Sequence, residues 1–171
     1  VLVAQNEIPM LARNEYSITY HIAESDMYLR ELDNAGKIEN KNPTTYSDND
    51  SITLQNLLVD GYVFNGWYDG AGANATQIKT IKNCTGNIHL YAHWDKVKYT
   101  ITFDSPDVPV ESVTYTVDTG ITLKNAQKFG YNFVGWSKNG RIVSSIPVGT
   151  TGNITLAANW TSERNKTVTV N

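Results

Sequence analysis

The chain has 171 residues, 40% of them apolar and 18% charged, and carries a formal net charge of −3. Such a chain can bury one or two cores and is too apolar for a disordered polymer. A slightly acidic balance with no block of Lys or Arg excludes an electrostatic surface for nucleic acid or anionic membrane.

Asn (18), Thr (19) and Tyr (10) are abundant, a polar but uncharged mixture common in secreted and surface β proteins. Cys84 is the single cysteine, so no intrachain disulfide forms. Small extracellular animal modules usually depend on such bridges, and their absence points to a bacterial product or to the cytosol. No run approaches 18 apolar residues, so membrane insertion by this segment is not expected. The chain opens on VLVAQNEIPM, which is not a charged-then-apolar leader, and it reads as a segment of a longer protein.

Residues 1–15 are expected to be a linker or the end of an upstream domain. From Tyr16, apolar Tyr16, Ile18, Tyr20 and Ile22 alternate with Ser17, Thr19 and His21, the period of a strand with one buried face. SDMYLRELDNAGK (25–37) then carries helix punctuation, with Ser25 or Asp26 as N-cap and Gly36 as the stop. Met27, Leu29 and Leu32 are expected to pack inward, leaving Tyr28, Arg30 and Glu31 outside as candidate partner contacts.

Short strands follow in TTYSD (44–48) and SITLQN (51–56). In GYVFNGWYDG (61–70), Gly61 fits a turn, and Tyr62, Phe64 and Trp67 fit the core. The face taken by Trp67 depends on whether Gly66 breaks the alternation with a bulge. Tyr68 is the candidate partner contact of this stretch. TGNIHLYAHW (85–94) alternates again: Ile88, Leu90, Ala92 and Trp94 point one way, and His89, Tyr91 and His93 the other. Tyr91 completes the candidate contacts.

The same order then recurs. YSITY reappears as YTITF (99–103), TTYSD as VTYTV (113–117), SITLQN as GITLKN (120–125), GYVFNGW as GYNFVGW (130–136) and TGNIHLYAHW as TGNITLAANW (151–160). The copies are tandem repeats of different length, and the second replaces the predicted helix with the Pro-bearing loop SPDVPVES. What recurs is structural: Gly61, Tyr62, Phe64, Gly66, Trp67 and Trp94 match Gly130, Tyr131, Phe133, Gly135, Trp136 and Trp160.

Catalytic chemistry finds no support in these residues. His89 and His93 are spaced as a helical zinc pair, but on a strand four residues span about 13 Å, too far for one metal. Cys84 stands where the second copy has Thr150, in a turn, and no phosphate loop or nucleophile elbow occurs. Asp48, Asn49, Asp50 and Asp69 lack the closing Glu and the ordered oxygens of a calcium loop. No catalytic residue, metal or cofactor is expected.

The combined pattern Y-x-I-T-Y, N-P-T-x-Y, I-T-L-x-N, G-Y-x-F-x-G-W and T-G-N-I-x-L-x-A-x-W resembles the Listeria–Bacteroides repeat, related to the internalin B-repeat. The resemblance runs from Tyr16 to Trp94 and again over the second copy. It implies tandem α+β, β-rich, β-grasp-like modules of bacterial surface proteins, set between neighbouring domains of the same chain. Copy one departs from the pattern at the insertion 25–37, and copy two lacks the Asn42-Pro43 pair.

The expected organisation is therefore a first module at 16–95 and a second at 98–161, joined by Asp95-Lys96-Val97-Lys98. Residues 162–171 read as a tail or the start of a following module. The expected function is a non-enzymatic, semi-rigid spacer and adhesion unit, extracellular, either at the bacterial cell surface or secreted. The alternative is specific binding of a host surface protein or glycan through the insertion and exposed tyrosines. An exposed platform of Tyr28, Tyr68 and Tyr91 would favour the alternative.

Overall fold

The computed structural model describes residues 13–163; residues 1–12 and 164–171, with the sequence expectations placed on them, lie outside. These residues divide into two compact units, 13–59 with Phe64–Asp95, and Asp60–Val63 with 96–163. The division does not follow the repeat boundary, because a four-residue turn that belongs to the first repeat by sequence counts with the second unit.

The first unit holds β1 (Glu15–His21), α1 (Met27–Asn34), β2 (Thr45–Ser47), β3 (Ser51–Thr53), β4 (Tyr62–Tyr68, its first two residues in the other unit), β5 (Thr80–Lys82) and β6 (Ile88–Lys96, its last residue in the other unit). Its main sheet has the order β2-β1-β6-β4, and β3 pairs with β5 in a small second sheet. β1 runs antiparallel to β2 and parallel to β6. A parallel neighbour demands a long crossover, and everything between β1 and β6, α1 included, supplies it.

The second unit follows with β7 (Tyr99–Asp104), β8 (Val113–Tyr115), β9 (Ile121–Thr122), β10 (Tyr131–Lys138), β11 (Arg141–Val143), β12 (Ser145–Ile146) and β13 (Ile154–Ser162). Five strands order as β11-β10-β13-β7-β8, and β12 pairs with β9. Its central register, Ile101↔Ile154 through Asp104↔Ala157, reproduces Ile18↔Ile88 through His21↔Tyr91 residue for residue. The fold is α+β and β-rich, with one short helix among the described residues.

Each main sheet buries one face. Ile18, Leu90 and Trp67 are buried in the first unit, and Ile101, Leu156, Ile154, Tyr115 and Trp136 form the core of the second. The phase of the tryptophans is set by a bulge. The β10–β13 register shifts between Phe133 and Gly135, and Gly135 and Gly66 take φ of +150° and +129°. A bulge adds a residue on one strand and reverses the alternation beyond it, so Trp67 joins Phe64 on the inner face. Their ring centroids lie 5.3 Å apart, and those of Phe133 and Trp136 lie 5.1 Å apart. Trp67 Nε1 donates to Gln55 O at 2.9 Å and Trp136 Nε1 to Lys124 O at 2.8 Å, which satisfies the one polar atom each ring buries.

The helix forms where its punctuation places it. Asp26 is the N-cap, its Oδ1 accepting from Leu29 N at 3.0 Å. Gly36, at φ +70°, ends it in a Schellman motif, with Lys37 N donating to Leu32 O and Gly36 N to Asp33 O. The inward face needs correction: Leu29 is buried, but Met27 is 71% exposed. Two positions apart on a helix is about 200° of rotation, so Met27 and Leu29 cannot share a face. Leu29 and Leu32, three apart, do.

Candidate functional site

On a strand whose even positions face the core, the odd positions necessarily face the other side. On β1 these are Ser17, Thr19 and His21, and on β6 they are His89, Tyr91 and His93. The parallel register sets His21 opposite Tyr91 and Thr19 opposite His89, while the bulge at Gly66 turns Tyr68 of β4 to the same side. All three histidines of the chain therefore gather with two tyrosines on the outer face of the first sheet.

The rings stack in two groups. His21 lies 4.3 Å from Tyr91 at an interplanar angle of 8°, and 5.2 Å from His89. Tyr68 lies 3.8 Å from His93 at 13°. Polar contacts fix the ring edges. His21 Nδ1 faces Glu24 Oε1 at 2.6 Å, and His21 Nε2 faces His89 Nδ1 at 2.9 Å. With the carboxylate as acceptor, His21 Nδ1 carries a proton. In the neutral ring Nε2 then accepts, and His89 Nδ1 donates. A protonated His21 reverses only the last bond, which His89 accommodates as the other tautomer. His93 Nε2 meets Gly70 O at 2.8 Å, and because a carbonyl only accepts, that nitrogen carries the proton.

Of the residues singled out from sequence, Tyr68 and Tyr91 reach this face, both half-buried. Arg30 approaches it indirectly, its Nη2 donating at 3.1 Å to the backbone oxygen of Glu24, whose carboxylate holds His21. Glu31 stays exposed on α1, and Tyr28 is half-buried there. Tyr28, Tyr68 and Tyr91 do not form one exposed platform: Tyr68 and Tyr91 stack on histidines and Tyr28 stays on α1. His21, His89, His93 and Glu24 were missed as members. The sequence weighs His89 and His93 only as a metal pair, although their phase with Tyr91 along β6 already sets all three on one side.

The second repeat has no such face. At the matching positions stand Asp104, Thr155, Ala157, Asn159 and Ser137. There Asn159 Nδ2 donates to Ser137 Oγ at 2.9 Å and to Gly135 O at 3.1 Å, a compact polar patch without a ring.

The structural signature behaves unevenly. Phe64 packs edge-on against Trp94 at 4.9 Å, and Phe133 against Trp160 at 5.0 Å. Trp94 Nε1 donates to Ile22 O at 2.9 Å. Gly61 and Gly130 share a left-handed turn, with φ of +85° and +80°. Tyr62 is 7% exposed, whereas Tyr131, expected in the core, is 41% exposed with Lys128 Nζ 4.0 Å above its ring.

Concave regions lie elsewhere. One of about 340 Å³ is lined by Thr53, Phe64, Trp67 and Lys79, another of about 310 Å³ by Phe103, Val113, Ile121 and Lys124. Cys84 sits in its turn, Sγ 3.4 Å from Lys82 O. Among the described residues no group of three or more His, Cys, Asp or Glu is arranged to hold a metal, and no helix is long and apolar enough to cross a membrane. The stacked face can offer ring surfaces, ring N–H groups and one carboxylate.

Comparison with known proteins agrees with the repeat seen in sequence and register. The profile of the Listeria-Bacteroides repeat domain matches residues 16–93 and again residues 99–159. Among solved structures, the chain is similar to the Streptococcal High Identity Repeats in Tandem (SHIRT) domains 3-4 from a cell surface protein. That likeness has 10% identity and a TM-score of 0.30, covering 85% of this chain and 96% of that one. With both copies matched over most of its length, the chain belongs to the Listeria-Bacteroides repeat family.

Proposed function

We propose that the chain is a pair of non-enzymatic, β-grasp-like repeats of a bacterial surface protein, acting as a semi-rigid extracellular spacer in an adhesive assembly. The observation that carries this reading is the connection: β6 ends at Lys96 and β7 begins at Tyr99, so only Val97 and Lys98 separate the strands of successive repeats. Short connections between folded repeats limit bending, as a stalk requires. Distances between paired spin labels at Glu15 and Ser162 test it in solution. A single narrow distribution is expected; a broad one, as from a flexible tether, refutes the spacer reading.

A second reading, recognition of a host protein or glycan, is favoured by the His–Tyr face, because the first repeat carries it and the second does not. Ring surfaces and edge donors are the groups that stack on sugars or anchor protein contacts. Glycan-array and host-protein binding by the full chain should be lost in the double variant Tyr91→Ala/Tyr68→Ala and kept in Ala157→Tyr on the second repeat. Equal binding by all three removes the face from any recognition role.

A further inference from the structure

The turn that departs from its own repeat offers a second surface. In the second unit, Asp60–Val63 packs on Val117: a Cβ placed on Gly61 would lie 2.5 Å from Val117 Cβ and Cγ1. Val97 N donates to Gly61 O at 2.9 Å, and Tyr62 beside it is buried. The missing side chain at Gly61 is thus the space that Val117 fills.

The matching turn of the second repeat, Lys128–Tyr131, has the same left-handed glycine and no cover among the described residues. Gly130 has nearly the φ of Gly61, and no atom of the described residues lies within 4 Å of a Cβ built on it. Glu163 N donates to Gly130 O at 3.0 Å, the counterpart in the second repeat of the bond from Val97 N to Gly61 O. The chain therefore leaves β13 in the same relation to its turn as it leaves β6. Around this bare glycine Phe129 is 103% exposed, Tyr131 is 41% exposed, and a groove of about 580 Å³ lies alongside. An exposed Phe and Tyr together form an apolar surface of the kind that marks a contact site. Lys128 keeps a salt bridge to Asp107 at 2.7 Å, and so brings its charge already paired.

We propose that the Lys128–Tyr131 turn is the seat for a further repeat of this family attached after β13, which docks through the apolar residue in its Val117 position onto Gly130. The occupant follows from charge and shape. A second copy of this chain arriving end-on would present the first repeat's counterpart of Val117, which is Asp48, and a carboxylate on an apolar seat costs its desolvation. A following repeat like the second brings Val. The sequence of residues 167–170, TVTV, has the alternation with which TITF (100–103) opens the second repeat. This docking holds whether the chain serves as a spacer or binds a host ligand.

The test compares the full chain with an extended one, in which residues 163–171 are replaced by a second copy of residues 97–163. Hydroxyl-radical footprinting reads Phe129 and Tyr131. Labelling of Tyr131 should fall about sixfold on extension, the ratio of the 41% exposure of Tyr131 to the 7% of Tyr62. It should return to the unextended rate when Val117→Asp is made in the appended copy alone. Val117→Asp in the unextended chain is the companion arm, and should raise Tyr62 labelling by a similar factor. Unchanged Tyr131 labelling in a folded extended chain overturns the proposal, as does equal protection by the appended Asp variant. So does a Tyr62 that stays covered in the companion arm. Tyr131 protection that grows with concentration in the unextended chain would instead give the seat to a second copy.

Discussion

Gly61 and Gly130 provide a matched pair for separating backbone strain from packing. Both have left-handed φ, +85° and +80°, and both lie in the second unit. Alanine at either position pays the same strain, about 1–2 kcal/mol for a side chain in that region. It also gains the same small loss of unfolded-state entropy. The sites differ in what the new methyl meets. At Gly130 it meets nothing within 4 Å; at Gly61 it lies 2.5 Å from Val117 Cβ, an atom fixed to the backbone that cannot swing aside. Overpacking of this kind adds about 1–3 kcal/mol.

Gly61→Ala should therefore destabilise the second unit by about 1–3 kcal/mol more than Gly130→Ala. Urea unfolding followed by tryptophan fluorescence measures both on the same transition. A cycle with Val117→Gly isolates the contact, since removing Val117 Cβ should recover most of the difference as a coupling energy. If the two alanine variants agree within about 0.5 kcal/mol, the ordinary limit of additivity, the packing argument is wrong and Val117 does not fill the space over Gly61.

Burial pushes the Tyr20 phenol up to about 12 from 10.0, so the folded state holds that proton more tightly than the unfolded chain. Its stabilisation is complete below pH 10 and is lost as pH rises towards 12; the urea midpoint should fall through this window, less steeply in Tyr20→Phe. Burial acts to raise the Asp118 carboxyl, but Lys96 Nζ at 2.6 Å and the Thr116 hydroxyl outweigh it and hold the group below 3.8. Its stabilisation is present above that value and disappears as pH falls through the lower folded value. Asp118→Asn should cost about 0.2–1 kcal/mol at pH 7, and less in acid, by urea titration at both pH values. Asp26→Ala removes the N-cap of α1 and should cost the first unit about 1 kcal/mol, read as faster amide exchange at Leu29 and Arg30. Trp136→Phe keeps the ring in the core but leaves Lys124 O without its donor, for a loss of about 1–3 kcal/mol in the urea midpoint.

Much of the fold was legible because two copies constrain one another. A strand read once by alternation is ambiguous in register; read twice in the same phase, at Ile18–Tyr20 and Ile101–Phe103, it also gave the buried face. The bulge was half legible. Gly66 and Gly135 marked where alternation could break, but it took the register shift at Gly135, and at Gly66 the positive φ and the Phe64–Trp67 ring contact, to put each Trp on the face of its Phe. The helix ends were written in Asp26 and Gly36, while its inward face was misread because Met27 was grouped with Leu29 by hydrophobicity and not by angle. The burial of Tyr131 was inferred from Tyr62 by repeat equivalence, and that inference fails where a neighbour covers one copy and not the other.

The His–Tyr face shows what repeat comparison conceals as well as what it reveals. Aligning the copies directs attention to positions that agree, and those are the glycines, the Phe–Trp pairs and the apolar strand faces, all of them explained by packing. His21, His89, Tyr91, His93 and Tyr68 are positions at which the copies disagree, and four of them lie on β1 and β6, strands whose inner faces are nearly the same in both repeats. A shared core with divergent outer residues means that the sheet accepts different residues on that face, Asp104, Thr155, Ala157, Asn159 and Ser137 in the second repeat. The stacked rings tied to Glu24 are thus not part of what the repeat needs to form its sheet. If they were also dispensable to function, His21→Asp/Tyr91→Ala, which installs the second repeat's residues at both positions, would leave ligand binding unchanged. The variant loses the His21–Tyr91 stack and sets a carboxylate beside Glu24, so stability should fall by about 1–2 kcal/mol with the unit still folded. A loss of binding by the folded variant is the result that separates a recognition face from decoration on a spacer.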